Sequence, residues 1–209
     1  MNTPYRDPGG WERDYLQRGR LWGGASCDLP AIPPGSRVLE LGCGNGKTYI
    51  PLSERGVSVV GLDISPAAIC LCQRASGEGA PLLVADARSL PFRDGSFDAV
   101  CAFHVAGHLK ATGRNAIAGE IVRVLKEEGR LYFRDFSDRD MRYGKGTEVE
   151  VGTFLRGEGI LTHYFSESEV RTLFSALHPH TLETCTWSLR VRGRDLPRAE
   201  VVAIFENDG

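Results

Sequence analysis

No apolar run in this chain approaches the length of a membrane-spanning helix, and its first residues lack the apolar core of a secretion signal. The six cysteines, at positions 27, 43, 70, 72, 101 and 185, form no C-x-x-C pair and no zinc spacing. Cys70 and Cys72, two residues apart, fall on different sides of a helix and cannot share a metal, so no metal site is expected. Cys43 and Cys101 fall at strand ends where cysteine behaves as a small apolar residue. Such usage fits a reducing compartment, and the cytoplasm is the expected location. A net excess of basic charge is also lacking: 25 Lys and Arg stand against 27 Asp and Glu, and the net charge of −2 leaves no overall basic surface to neutralise a nucleic-acid backbone. There is no internal repeat and no linker. The 209 residues, 42% hydrophobic and 25% charged, read as one globular domain.

The segments that are present alternate between period-2 and period-3.6 patterns, which argues for a mostly parallel sheet with helices on both faces. Strands are expected at 37–41, 57–62, 81–84, 97–102 and 130–136, and a closing pair at about 181–191 and 199–205. Helices are expected at 11–18, with Trp11, Tyr15 and Leu16 on one side, at 66–74 behind the cap Ser65 and the first-turn proline Pro66, and at 114–126, stopped by Gly129. Another should open at the capping box Ser166-Glu-Ser-Glu169 and run to about Leu177. Residues 1–36 read as an N-terminal cap rich in Pro, Gly, Trp and Arg. Residues 137–164, with five glycines, read as an irregular insertion on the substrate side.

The densest signal is Val38-Leu-Glu-Leu-Gly-Cys-Gly-Asn-Gly-Lys-Thr48. A β-prone run breaks into glycines at alternate positions, Gly42, Gly44 and Gly46, where main chain needs room to approach a ligand. A helix beginning just after it would offer free N–H groups. The dinucleotide fingerprint G-x-G-x-x-G fails because position 47 is Lys47. The phosphate-binding loop G-x-x-x-x-G-K-[ST] fails because position 41 is Leu41. Pro51 falls early in the following helix, where it bends that helix or lies in its first turn. The second strand ends in Asp63, placed to accept from ribose hydroxyls.

Ligands of open α/β sheets bind beyond the carboxyl ends of the strands, and the notable residues fall there in series. Glu40 and the loop Gly42, Cys43, Gly44 and Gly46 follow the first strand. Asp63 follows the second, with Ile64 to pack on an adenine face. Asp86 follows the third and can accept from an adenine amino group, with the Ala87 N–H beside it. Phe103 and His104 follow the fourth and border the reacting group; His108 lies one turn on. Arg134 and Asp135 end the fifth. Each has a plainer structural reading: Asp63 and Asp86 as helix caps, the histidines as structural donors, Arg134 and Asp135 as an ion pair. Arg156, Tyr164 and Arg198 share that ambiguity, between an ion pair and a substrate contact. Trp11, Tyr15 and Trp22 read either as an aromatic lid or as core.

The motif E-x-G-x-G-x-G at Glu40, Gly42, Gly44 and Gly46 resembles motif I of the class I S-adenosylmethionine-dependent methyltransferases. Val84-Ala-Asp-Ala-Arg-Ser-Leu-Pro-Phe92, Ser96-Phe-Asp-Ala-Val100 and Val124-Leu-Lys-Glu-Glu-Gly-Arg-Leu131 extend the likeness over nearly the whole chain. It implies a Rossmann-like seven-stranded sheet ending in an antiparallel hairpin, and S-adenosylmethionine as cofactor, S-adenosylhomocysteine as product. A finer likeness runs through Tyr132-Phe-Arg-Asp-Phe136, Arg156-Gly-Glu-Gly-Ile-Leu-Thr-His-Tyr-Phe165 and Leu196 to Phe205. These are similar to the methyltransferases that make 3-methylcytidine in tRNA. The segment Ser-Asp-Arg-Asp-Met-Arg-Tyr143 matches that subfamily only in part, and no evident basic RNA-binding extension precedes the first strand.

The resemblance therefore implies methyl transfer to a nitrogen acceptor, a tRNA cytidine or another nucleoside. The acidic balance favours the alternative of a small-molecule acceptor, although Arg134, Arg139, Arg142, Lys145, Arg156, Arg190, Arg192 and Arg194 concentrate cations in the later third. A third reading is a cofactor-binding subunit that serves a catalytic protein partner. A monomer or weak dimer is expected.

Overall fold

The computed structural model describes residues 8–19, 29–156 and 159–209. Trp22 and Cys27 lie outside the described residues.

A seven-stranded sheet forms the centre. Its strands are β1 (Arg37–Leu41), β2 (Ser58–Asp63), β3 (Leu82–Val84), β4 (Phe97–Phe103), β5 (Leu125–Phe136), β9 (His178–Val191) and β10 (Arg194–Glu206). They lie in the order β3-β2-β1-β4-β5-β10-β9. β1 to β5 run parallel, and β10 runs antiparallel to both β5 and β9. The order reverses at β1, between β2 and β4, so the carboxyl ends of these strands open into the crevice where such sheets bind ligands. Pro197 is tolerated in β10 because β5 has already ended at Phe136, opposite Glu200; there β10 has only β9 as ladder partner.

Helices cover both faces. α1 (Pro8–Arg18), α2 (Tyr49–Ser53) and α3 (Pro66–Ser76) precede α4 (Ala111–Val124) and α5 (Glu167–Leu173). On one face Ile117, Ile121 and Val124 of α4 and Val170 of α5 pack on Leu39, Leu41, Val100, Leu131 and Phe133. On the other, Tyr49 and Leu52 of α2 and Cys72 of α3 pack on Val38, Val59, Ala99 and Cys101. Each fully buried aliphatic side chain contributes about 1.5–3 kcal/mol. α3 starts as its sequence dictates: the Ser65 hydroxyl accepts from the Ala68 N–H at 3.1 Å, with Pro66 in the first turn. Pro51 is the third residue of α2, inside the first turn, where a missing N–H leaves no carbonyl unpaired.

Several expectations are corrected. α4 runs from 111 to 124, not 114 to 126, and Leu125 goes directly into β5, opposite Phe97. Gly129 therefore lies in a strand; the helix stops earlier because Leu125 takes extended dihedrals. The N-terminus of α4 has no side-chain cap of its own, and Glu150 supplies one by accepting from the Ala111 N–H at 2.9 Å. Residues 137–164 are irregular only in part, through the turns of 137–146. They hold a second, antiparallel sheet of β6 (Thr147–Glu150), β7 (Thr153–Arg156) and β8 (Ile160–His163). α5 ends at Leu173, and Phe174 and Leu177 are buried in the turn after it. Its capping box is half made: Ser166 accepts from the Glu169 N–H, but the Glu169 carboxylate turns to His163 Nε2 at 2.8 Å. Leu16 is 69% exposed, so it does not share the buried side of α1 with Tyr15.

Candidate active site

The glycine loop leaves β1 through left-handed backbone, with φ of 65° at Gly42, 54° at Gly44 and 87° at Gly46. Room is as tight as conformation. A Cβ on Gly42 would come 2.5 Å from Val105 Cγ2, and one on Gly44 would come 2.6 Å from the Tyr15 hydroxyl. Cys43 turns its side chain into the core, 3% exposed beside Cys72, and offers the site only main chain.

Glu40 is 4% exposed, and its Oε2 has no hydrogen-bond partner among the described residues. Burial, with Cys72 and Asp63 adding to it, pushes this carboxyl well above the usual range against one hydrogen bond from Thr48. Asp63 is also buried. Its Oδ2 accepts from the Gly44 N–H and its Oδ1 from the Ser65 N–H, both at 2.9 Å. Burial raises its pKa, and these N–H groups with that of Ile64 oppose the rise. Asp86 is half-buried at the end of β3 and gripped by Arg88, Nη2 to Oδ2 at 2.6 Å. Ile64 and Ala87 are half-buried beside these acids.

A cofactor with an amino-acid end, a ribose and an adenine fits this chemistry. An unpartnered buried carboxyl oxygen suits an ammonium. A loop that admits no Cβ suits close backbone approach. Successive strand-end acids suit hydroxyls and an exocyclic amine.

α1 lies across this half. Glu12 accepts from the Ser65 hydroxyl and, at 3.1 Å, from the Ala67 N–H, tying α1 to the start of α3. Tyr15 is 7% exposed over Gly44, and burial beside Asp63 pushes its phenol pKa up. Trp11 meets the His108 ring edge-on at 4.6 Å, so α1 joins the glycine loop to the ends of β4 and β5.

At those ends His104 takes a left-handed φ of 55°. Its N–H bonds the Arg134 carbonyl at 2.8 Å, and its ring stacks on Phe136 at 4.5 Å. His104 Nε2 lies 3.3 Å from Glu200 Oε1, and Nδ1 lies 3.8 Å from Asp135 Oδ1, too far for a hydrogen bond. Burial opposes protonation of His104, but the two carboxylates outweigh it and raise its pKa to about 9. Burial likewise works against charge on Asp135, yet His104, His108 and the Gly107 N–H hold its pKa below the usual value.

Asp135 accepts from the Gly107 N–H at 2.8 Å and from the Phe136 N–H at 2.9 Å. It thereby fastens the turn at 106–108 to β5. His108 goes the other way: burial lowers its pKa, and Nδ1 lies 2.7 Å from the Leu161 carbonyl. A carbonyl only accepts, so Nδ1 carries the hydrogen and Nε2 the lone pair.

Arg134 packs over the Phe103 ring at 5.5 Å, and Arg156 Nη1 donates to the Tyr164 hydroxyl at 3.1 Å. Sequence reasoning missed Asp140 and Glu200, gave Arg142 no role beyond the charge cluster, and left Arg198 between an ion pair and a substrate contact; the structure gives it an ion pair with Asp140. Asp140 is 3% exposed; its Oδ1 binds Arg142 Nε at 2.8 Å and its Oδ2 binds Arg198 Nε at 2.6 Å. The spacing of Asp140 and Arg142, two apart in a turn-prone segment, was the one local sign. A cleft lined by Pro33, Glu128, Arg130, Tyr132 and Glu206 lies at the opposite, amino end of the strands, away from all of these groups.

Residues 39–133 match a family described as the methyltransferase domain. The chain is 35% identical over 135 residues to 2-methyl-6-phytyl-1,4-hydroquinone methyltransferase of Synechocystis sp., covering 62% of this chain and 40% of that protein. It is 30% identical over 164 residues to tRNA N(3)-methylcytidine methyltransferase of Drosophila melanogaster, covering 72% of this chain and 50% of that one. A solved S-adenosylmethionine-dependent methyltransferase of Methanosarcina mazei superposes with a TM-score of 0.72 at 27% identity, covering 84% of this chain and 94% of that chain. The chain spans about half the length of the curated relatives it matches.

Proposed function

The chain belongs to the class I S-adenosylmethionine-dependent methyltransferases, and we propose that it carries a methyl group to a ring nitrogen of a tRNA cytidine. S-adenosylmethionine supplies an electrophilic methyl on a cationic sulfur, which attack in line with the sulfur displaces. The chain's part is to position and to exclude water. Glu40 takes the ammonium end, the 42–46 loop lies along the ligand, and Asp63 takes the ribose hydroxyls. Asp86 and the Ala87 N–H take the adenine edge, with Ile64 on its face. α1 is the lid, with Tyr15 over the loop and Trp11 against His108.

The observation that carries the nitrogen acceptor is the state of His104 and Asp135. His104 holds a proton at neutral pH, and Asp135 is engaged by the Gly107 and Phe136 N–H groups. Neither is set to remove a proton from an acceptor. A pyrimidine nitrogen attacks with its own lone pair and needs none removed. The alignment to the tRNA relative, which is longer than the 39–133 match, supports the same acceptor.

A second reading is methylation of a hydroquinone. His108, neutral with a lone pair on Nε2, favours it as a base for a phenolic proton, and the Synechocystis relative supports it. Purified protein given S-adenosylmethionine with bulk tRNA, and separately with a hydroquinone, decides between them by nucleoside and small-molecule mass spectrometry. We expect 3-methylcytidine in the tRNA. Methylated hydroquinone with unmodified tRNA would move the assignment to the second reading. S-adenosylhomocysteine binding without transfer to either would favour a non-catalytic subunit with a protein partner. Light scattering on the same preparation tests for a monomer or weak dimer, and fractionation of cells tests the cytoplasmic location. No helix among the described residues is long and apolar enough to cross a membrane.

A further inference from the structure

Arg142 is a cation held still with one end unused. Its Nε and backbone N–H both go to Asp140 Oδ1, at 2.8 and 3.0 Å. The other oxygen of Asp140 is taken by Arg198 Nε at 2.6 Å and the Ala199 N–H at 3.3 Å. The Arg142 guanidinium stacks 3.8 Å above the Phe136 ring centroid, and the same ring packs against His104 at the end of β4. Arg142 Nη2 is buried, with no hydrogen-bond partner among the described residues.

A buried guanidinium N–H without an acceptor is costly and needs an explanation. Other buried atoms in that condition, Glu40 Oε2 and His104 Nδ1, also lie at the carboxyl ends of the strands. Glu40 belongs to the cofactor half. Arg142 sits on the acceptor side, on the Phe136 ring that also carries His104. Bracing by Asp140 fixes the plane of the guanidinium and aims its Nη end, which is how arginine is pre-organised to receive an oxygen.

We propose that Arg142 is the acceptor-orienting residue of this site, and that its Nη2 donates to the 2-carbonyl oxygen of the cytosine ring. The inference rests on the tRNA reading above. In cytosine the ring nitrogen that would be methylated is bonded to the carbon bearing that oxygen. One hydrogen bond to the oxygen therefore sets the direction of the nitrogen lone pair. Asp140 and Arg198 are positioning residues that act through Arg142.

The test uses the full chain. Arg142→Gln should lower kcat/KM for tRNA about 10- to 100-fold, while S-adenosylhomocysteine affinity by calorimetry stays within about twofold. Arg142→Lys controls for folding, since it keeps the charge and loses the planar fork; it should melt near wild type and still be impaired. Once the modified position is mapped with wild-type protein, the same RNA carrying 2-thiocytidine there supplies the decisive comparison. Wild type should discriminate against the sulfur-bearing RNA, and Arg142→Gln should methylate both RNAs at equal rates. Retained discrimination in Arg142→Gln, or an unchanged kcat/KM, would overturn this inference while leaving the tRNA reading intact. Wild-type protein that binds the cofactor but modifies no tRNA would overturn both.

Discussion

In the proposed site, the half assigned to the cofactor is built mostly from backbone, and the half assigned to the acceptor mostly from side chains. From Glu40 to Ser65 the geometry comes from left-handed glycines, strand ends and the N–H groups of Gly44 and Ser65, all within two successive β-α units. Around His104 it comes from Asp135, Phe136, Asp140, Arg142, Arg198 and Glu200, on strands and loops far apart in the chain. Backbone-built sites leave a spacing in the sequence because only certain residues tolerate the required dihedrals. Side-chain-built sites leave no such mark, since the partners meet only when the strand order brings β4, β5 and β10 together.

The comparison can be broken most severely at Asp135. Asp135→Asn removes the charge from a buried network and should cost about 3–5 kcal/mol of stability, measured by urea unfolding. A loss below about 1 kcal/mol would mean that the acceptor half does not depend on that charge. The matching change in the cofactor half is Asp63→Ala. It should weaken cofactor binding roughly 10- to 150-fold, the worth of one charge-assisted hydrogen bond. Unchanged affinity by calorimetry in a folded variant would remove Asp63 from the ribose.

A finer distinction lies in the charge states. By NMR titration His104 should lose its proton near pH 9, while His108 titrates below the usual histidine range. Because the folded-state pKa of His104 is raised, the stability it contributes is fully present below about pH 6.5. That contribution is lost as pH rises through about 9. His104→Gln should therefore flatten the fall in urea midpoint over that window; an identical fall in the variant would place the proton elsewhere.

The smallest effect is expected at Glu40. Its raised pKa means that wild type, without cofactor, loses stability as pH rises above the unfolded carboxyl value. Glu40→Gln should lie within about 1 kcal/mol of wild type near pH 4, where both side chains are uncharged, and gain on it as pH rises. A gap that closes with rising pH would show that Glu40 is ionised and paired.

The unequal legibility of the two halves follows from the same physics. The glycine loop, Asp63, the Ser65-Pro66 helix start and the alternation of strands and helices are all legible in the sequence. The class I fold followed from them. The β6–β8 sheet was not visible, because strands of four residues, such as Thr147–Glu150, are too short for a period-2 pattern to stand out, and glycines interrupt the sequence between them. The start of α4 was misplaced because its cap comes from Glu150, 39 residues away. The capping box at Ser166 was read correctly for its hydroxyl and wrongly for its glutamate, which His163 claims.

The sequence by itself determined the local backbone of the β1–α3 half: where the chain turns, where glycine is obligatory, which faces are apolar, and hence the glycine cradle beyond β1. Only the tertiary structure decided the charges and their partners: that His104 is cationic and His108 neutral, and that Asp140 braces Arg142 against Phe136. Dihedral and periodic constraints act over a few residues and are written locally. Burial and Coulomb interactions depend on which distant strand ends become neighbours, and the folded sheet alone specifies that.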